Sequence, residues 1–305
     1  MIDLSFRRWF GFCAAFVVIS NLNLGGVALA QSEAAHLFEI SGSEVRTVEA
    51  SATKRNYNLY IKLPPGYGAP ENADRRYPVV YLNDGGYCWV TAVGITRPAF
   101  SFDAYDQAIL VGFSYAKGDK ATNSRVRDFT PTQAGDWKLE TGGADAYLDF
   151  MKNDALPLIE GEYRADPNHR VVVGHSLGGL FGAYALIKEP GLFHDYVLIS
   201  PSLWFDDEAI FALEEQAAED GTTLSGRIYF AVGDTETPSV NGGPHDMVAQ
   251  QVAFAERLRS RGHAGLVVRD EILPGGTHLT TFPVGFTHAL RWLLPGEDVY
   301  NGGSR

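Results

Sequence analysis

The pentapeptide Gly174-His175-Ser176-Leu177-Gly178 carries the clearest chemistry in this sequence. It reads G-x-S-x-G, the pattern of a serine nucleophile held on a sharp turn between a strand and a helix. Small residues flank the serine because its backbone is strained and neighbouring elements come close. Five residues say little in a chain with 33 Gly, where an ordinary glycine-rich turn has the same spelling. The context makes the pattern informative. Residues 170–174 (RVVVG) read as a β-branched strand, and the Ala- and Leu-rich residues 177–187 read as a helix.

A serine hydroxyl is a poor nucleophile without a base, and the base needs an orienting group. In a strand–turn–helix setting of this kind the partners follow in the order Ser, acid, His. The base therefore lies among His194, His245, His263, His278 and His288. His278 ends Pro274-Gly275-Gly276-Thr277-His278, a loop directly after the last strand, which is where ligands bind in open α/β sheets. His245, in a Gly/Pro loop, is the runner-up, and the other three lie in or beside helices. The acid should follow the preceding strand, where Gly233-Asp234-Thr235-Glu236 offers two carboxylates that spacing alone does not separate. An oxyanion needs two backbone N–H donors. Leu177 supplies one, and the loop Asn83-Asp84-Gly85-Gly86-Tyr87 supplies the other.

These residues need a scaffold, and the hydrophobic pattern describes one. Residues 56–63, 77–82, 108–113, 196–200, 227–232 and 266–273 read as further strands. Residues 144–159, 247–258 and 282–294 read as helices, the first kinked or ended by Pro157. Strands alternating with helices imply right-handed crossovers and a mostly parallel central sheet flanked by helices. No linker or fixed-period repeat divides the chain, so the expectation is one α/β domain over residues 31–305.

Residues 1–30 are set apart from it. Arg7 and Arg8 form a basic stretch, residues 9–19 an apolar run about half a bilayer span, and Ala28-Leu29-Ala30 a small-x-small cleavage site. This is the order of a secretory signal peptide, with a partial twin-arginine match at Arg7-Arg8, and it implies a periplasmic or secreted product without stable membrane insertion. Cleavage removes Asp3, Arg7 and Arg8, moving the net charge from −12 to −13. That excess of acid argues against nucleic acid as a partner. Cleavage also removes Cys13, leaving Cys88 without a disulfide partner and best read as a packed residue.

Several segments together resemble the enterochelin (trilactone siderophore) esterase-like branch of the α/β-hydrolases. They are YPVVYLNDG (77–85), RVRDFTP (125–131), TGGADAYLDF (141–150), GHSLGGLF (174–181), SPSLW (200–204) and GGTHLTTFP (275–283), in order along nearly the whole chain after residue 30. The resemblance implies an α/β-hydrolase fold and a serine esterase acting on a small ester, with no metal or organic cofactor. It implies Ser176 as nucleophile, His278 as base, Glu236 rather than Asp234 as acid, and Leu177 and Gly86 as oxyanion donors. Arg125, Trp204 and Tyr87 are then candidate substrate contacts. The alternative for Arg125 is an ion pair with Asp128 that braces its loop, and for Trp204 a place in the core. A feruloyl- or acetyl-type esterase, a thioesterase and a non-catalytic binding protein on the same scaffold are the competing functions.

Overall fold

The computed structural model describes residues 39–297. The expected signal peptide lies outside the described residues. No helix among them is long and apolar enough to cross a membrane.

Eight strands form one sheet: β1 (Ser43–Glu49), β2 (Asn56–Lys62), β3 (Tyr77–Leu82), β4 (Ile109–Phe113), β5 (Ala165–His175), β6 (Asp195–Ile199), β7 (Gly226–Gly233) and β8 (Leu266–Leu273). Their spatial order is β1-β2-β4-β3-β5-β6-β7-β8. The first two strands pair antiparallel at one edge, and β4 through β8 run parallel. The mostly parallel single-domain sheet expected from the sequence is therefore present. The helices are α1 (Gly85–Ser101), α2 (Ala121–Phe129), α3 (Ala144–Phe150), α4 (Leu156–Glu162), α5 (Leu177–Lys188), α6 (Phe205–Glu219), α7 (Pro238–Asn241), α8 (Met247–Ser260) and α9 (Thr281–Leu293).

The central strands are buried on both faces, as parallel strands covered by helices must be. Alternation along β3 sends Tyr77, Val79 and Tyr81 into the core under α2 to α6 and α8. Val80 and Leu82 face the second core, built from Cys88, Trp89 and Val93 of α1 and Phe282, Phe286 and Leu290 of α9. Cys88 is a packed residue there, and burial pushes its thiol pKa well above the usual range.

One sequence expectation needs correction, and one helix was not anticipated. Residues 144–159 do not form one helix: α3 passes into a π-helical turn at Met151–Ala155, and α4 starts anew with Pro157 in its first turn. Proline lacks the N–H and crowds the carbonyl four residues back, so the widened turn falls just before it. Helix α1 was not legible, because its glycines, β-branched residues and Pro98 score against a helix. Burial of Cys88, Trp89, Ala92, Val93, Thr96 and Phe100 along one stripe outweighs that preference.

Candidate active site

The turn from β5 to α5 carries Ser176 at φ 60° and ψ −121°, a strained conformation for a residue with a side chain. Tight packing leaves little alternative. A Cβ on Gly174 would lie 2.0 Å from the Gly178 carbonyl oxygen, so only glycine lets the chain double back there. Ser176 N–H donates to the Ile199 carbonyl at 3.0 Å, and the Ser202 N–H donates to the Ser176 carbonyl at 3.0 Å. The serine hydroxyl lies 3.2 Å from the Ser202 hydroxyl, itself buried.

His278 meets a carboxylate, Glu236, across the next two strand ends. Its Nδ1 lies 2.6 Å from Glu236 Oε2. Glu236 is buried, and its other oxygen accepts from Ser200 Oγ at 2.6 Å and from the Gly233 N–H at 2.8 Å. Burial pushes the Glu236 carboxyl up, but the bonds from His278, Ser200 and Gly233 outweigh it and hold the pKa below the ordinary carboxylate value. Asp234 points elsewhere: its Oδ1 accepts from the Gly275 N–H at 2.9 Å, closing the loop that carries the histidine. With Nδ1–H committed to Glu236, the imidazole Nε2 is an acceptor.

A second histidine supports the first. His175 Nε2 donates to the His278 carbonyl at 2.7 Å, with the ring centroids 4.7 Å apart. Burial, and then the neighbouring His278, lower the His175 pKa to about 4, so His175 is neutral at physiological pH.

Ser176, Ser202, Trp204, Glu236, His245 and His278 share one pocket of about 240 Å³ with Asn241, Gly243, Pro244 and Met247. Trp204 is therefore a pocket wall. Its indole stacks on His245 at 4.3 Å and on Trp137 at 6.3 Å. His245, the runner-up base, thus flanks an aromatic wall and has no carboxylate partner among the described residues. Tyr87 is exposed beside the site, 5.7 Å from the His175 ring.

The other half of the site is built on backbone. Asp84 caps α1 in the left-handed region, at φ 57° and ψ 43°. Its carbonyl accepts the Tyr87 and Cys88 N–H groups, which leaves those of Gly85 and Gly86 in the open first turn. A Cβ on Gly85 would lie 2.5 Å from the Phe113 carbonyl oxygen, which explains the glycine. Leu177 likewise opens α5 with its N–H outside the intrahelical ladder. The two loops are neighbours because Leu82 pairs with Val173, and the Asn83 N–H donates to the Val173 carbonyl at 2.9 Å.

Arg125 does not pair with Asp128. Its Nε and Nη2 hold the two oxygens of Asp84 at 2.7 and 2.9 Å, and Nη2 also reaches the His175 carbonyl at 3.1 Å. Asp128 is already occupied by Arg127, Ser124 and Tyr57, and Asp84 offers Arg125 both carboxylate oxygens instead. Sequence reasoning missed Ser200, Ser202 and Asp84 as parts of the site. The first two lie within SPSLW, two positions apart just beyond the end of β6, but nothing in the spelling ties them to Glu236 and Ser176.

The family model described as "Putative esterase" matches residues 50–293. The chain belongs to this esterase family. Ferri-bacillibactin esterase BesA of Bacillus subtilis is 28% identical over 275 residues, covering 84% of this chain and 91% of the relative. Among solved structures, an IroE-like serine hydrolase from Shewanella oneidensis superposes with a TM-score of 0.70 at 27% identity, covering 83% of this chain and 80% of that one. The BES protein of Bacillus cereus shares the fold, with a TM-score of 0.75 at 24% identity over 86% of this chain and 98% of that one. This family member is thus an ester-hydrolysing enzyme with the α/β-hydrolase fold that its sequence segments implied.

Proposed function

We propose that the protein is a serine carboxylic-ester hydrolase that works through an acyl-enzyme on Ser176. The observation that carries this reading is the short His278–Glu236 bond opening on the same pocket as a strained Ser176.

The Ser176 hydroxyl leaves Ser202 and gives its proton to His278 Nε2 as Oγ attacks the ester carbonyl carbon. The imidazolium that forms is stabilised by the Glu236 carboxylate. The N–H groups of Leu177 and Gly86 hold the oxyanion, needing no reorganisation because both are fixed at helix starts. His278 then gives its proton to the leaving alcohol oxygen, and the C–O bond breaks. Water repeats the sequence on the acyl-enzyme and frees the acid.

For the substrate, the similarity to a ferri-bacillibactin esterase supports a small ester of the siderophore trilactone type. A panel of a catecholate trilactone, feruloyl esters, acetylated sugars and simple aryl esters, compared by kcat/KM, tests this. A trilactone value below that of every other ester contradicts it. We also propose that residues 1–30 are a cleaved export signal. N-terminal sequencing of the exported protein should begin at Gln31, and a retained Met1 contradicts cleavage.

A further inference from the structure

Arg125 occupies an unusual position relative to the two proposed oxyanion donors. One donor, Gly86, lies two residues after Asp84, and the other, Leu177, lies two residues after His175. The Arg125 guanidinium holds the Asp84 carboxylate with two N–H groups and the His175 carbonyl with a third contact. It thus bonds to both loops at once, and the Asn83 side chain adds a longer link to the Gly178 carbonyl at 3.4 Å. Asp84 is fully buried and also accepts from Tyr115 Oη at 2.6 Å. The Phe129 ring lies 5.8 Å from the guanidinium carbon. Asp84 reaches across as well: a Cβ on Gly178, the second residue of α5, would lie 3.1 Å from Asp84 Oδ2. The chain of contacts continues through the His175 ring to the His278 carbonyl.

We infer that Arg125 is a positioning residue, which sets the spacing of the two oxyanion donors by clamping Asp84 to the nucleophile turn, rather than a contact for an anionic group of the substrate. The planar fork suits this task, because Nε–H and Nη2–H meet the two Asp84 oxygens side by side, a bidentate geometry that a compact ammonium does not reproduce. Only Nη1 has no protein acceptor among the described residues, so an anionic substrate group would have to be met there alone. The clamp acts on backbone donors whose worth depends on placement within a fraction of an ångström.

The inference rests on the proposed role of Ser176, so Ser176→Ala is run alongside: activity surviving in that variant would remove the reading itself. The test of the clamp is Arg125→Lys, assayed on neutral p-nitrophenyl butyrate and on the anionic mono-p-nitrophenyl succinate, with thermal unfolding to verify the fold. The clamp predicts that kcat falls about 10²-fold on both esters, with KM within about threefold of the parent. Asp84→Asn, which weakens the same grip from the other side, should lower kcat comparably. The double variant should lose no more than the worse single, and Asp84→Asn carries the test if the lysine variant does not fold. A loss confined to the anionic ester and expressed in KM would overturn the inference in favour of a substrate contact. Unchanged kcat on both esters with only a lower Tm would overturn it in favour of a purely structural ion pair.

Discussion

The two halves of the site flanking Ser176 are built on different principles. On the β6–β8 side the proposed chemistry falls to side chains: His278 would move the proton and Glu236 orient it, while Ser200 and the Gly233 N–H fix Glu236. On the β3–β5 side the proposed functional groups are two backbone N–H donors, and Arg125 and Asp84 join the loops that carry them. The first half depends on a proton-accepting histidine beside a carboxylate. The second, on the proposed account, depends on the Arg125–Asp84 ion pair, which holds the loops without meeting the reacting atoms. Removing a charge should therefore alter proton transfer on one side and donor placement on the other.

The largest effect that would break this division is at the shared atom. Ser176→Ala should lower kcat on p-nitrophenyl butyrate by about 10⁶-fold with folding intact. Steady-state assays give the number, and circular dichroism gives the fold. On the proton-moving side, Glu236→Gln should lower kcat by about 10²- to 10⁴-fold, because the amide cannot stabilise the imidazolium. Asp234→Asn, whose partner is only the Gly275 N–H, should change kcat by less than about threefold. If the two variants exchange these outcomes, the acid is Asp234.

His175 links the halves, and its effect is on stability. Burial and His278 hold its pKa at about 4, below the ordinary value near 6.5. Between those pH values the unfolded chain takes up a proton that the folded chain does not. Stability thus falls as pH drops through that window, by on the order of 3 kcal/mol for this one group. His175→Gln, which keeps a donor for the His278 carbonyl, should flatten that part of the profile. Urea unfolding at pH 7 and pH 4.5 on both proteins checks it, and identical slopes would contradict the assignment.

The same division explains what could be read from the sequence. Ser176, His278 and their order are spelled by residue type, and the strands around them are dense β-branched runs. Glu236 over Asp234 was not decided by spacing, since both follow β7. In the structure the turn at Gly233 buries Glu236 against Ser200 and beside His278 and sends Asp234 to Gly275. Asp84 and Arg125 are 41 residues apart and meet because β3, which Asp84 follows, and β4, which leads into α2, pair in the sheet. Arg125 was expected at the substrate, with Asp128 as its nearby alternative. A long-range partner of this kind leaves no local pattern. Helix α1 was hidden for a related reason, since its stripe becomes apolar in meaning only once β3 and α9 are there to cover it.

The central claim, that Ser176 is the nucleophile activated by His278 and Glu236, has a direct test. The intact protein is treated with a fluorophosphonate and its mass measured, followed by peptide mapping. The account predicts one phosphonyl adduct on Ser176, absent in Ser176→Ala and formed far more slowly in Glu236→Gln. An unlabelled native protein, or an adduct on another residue such as Ser202, would contradict it.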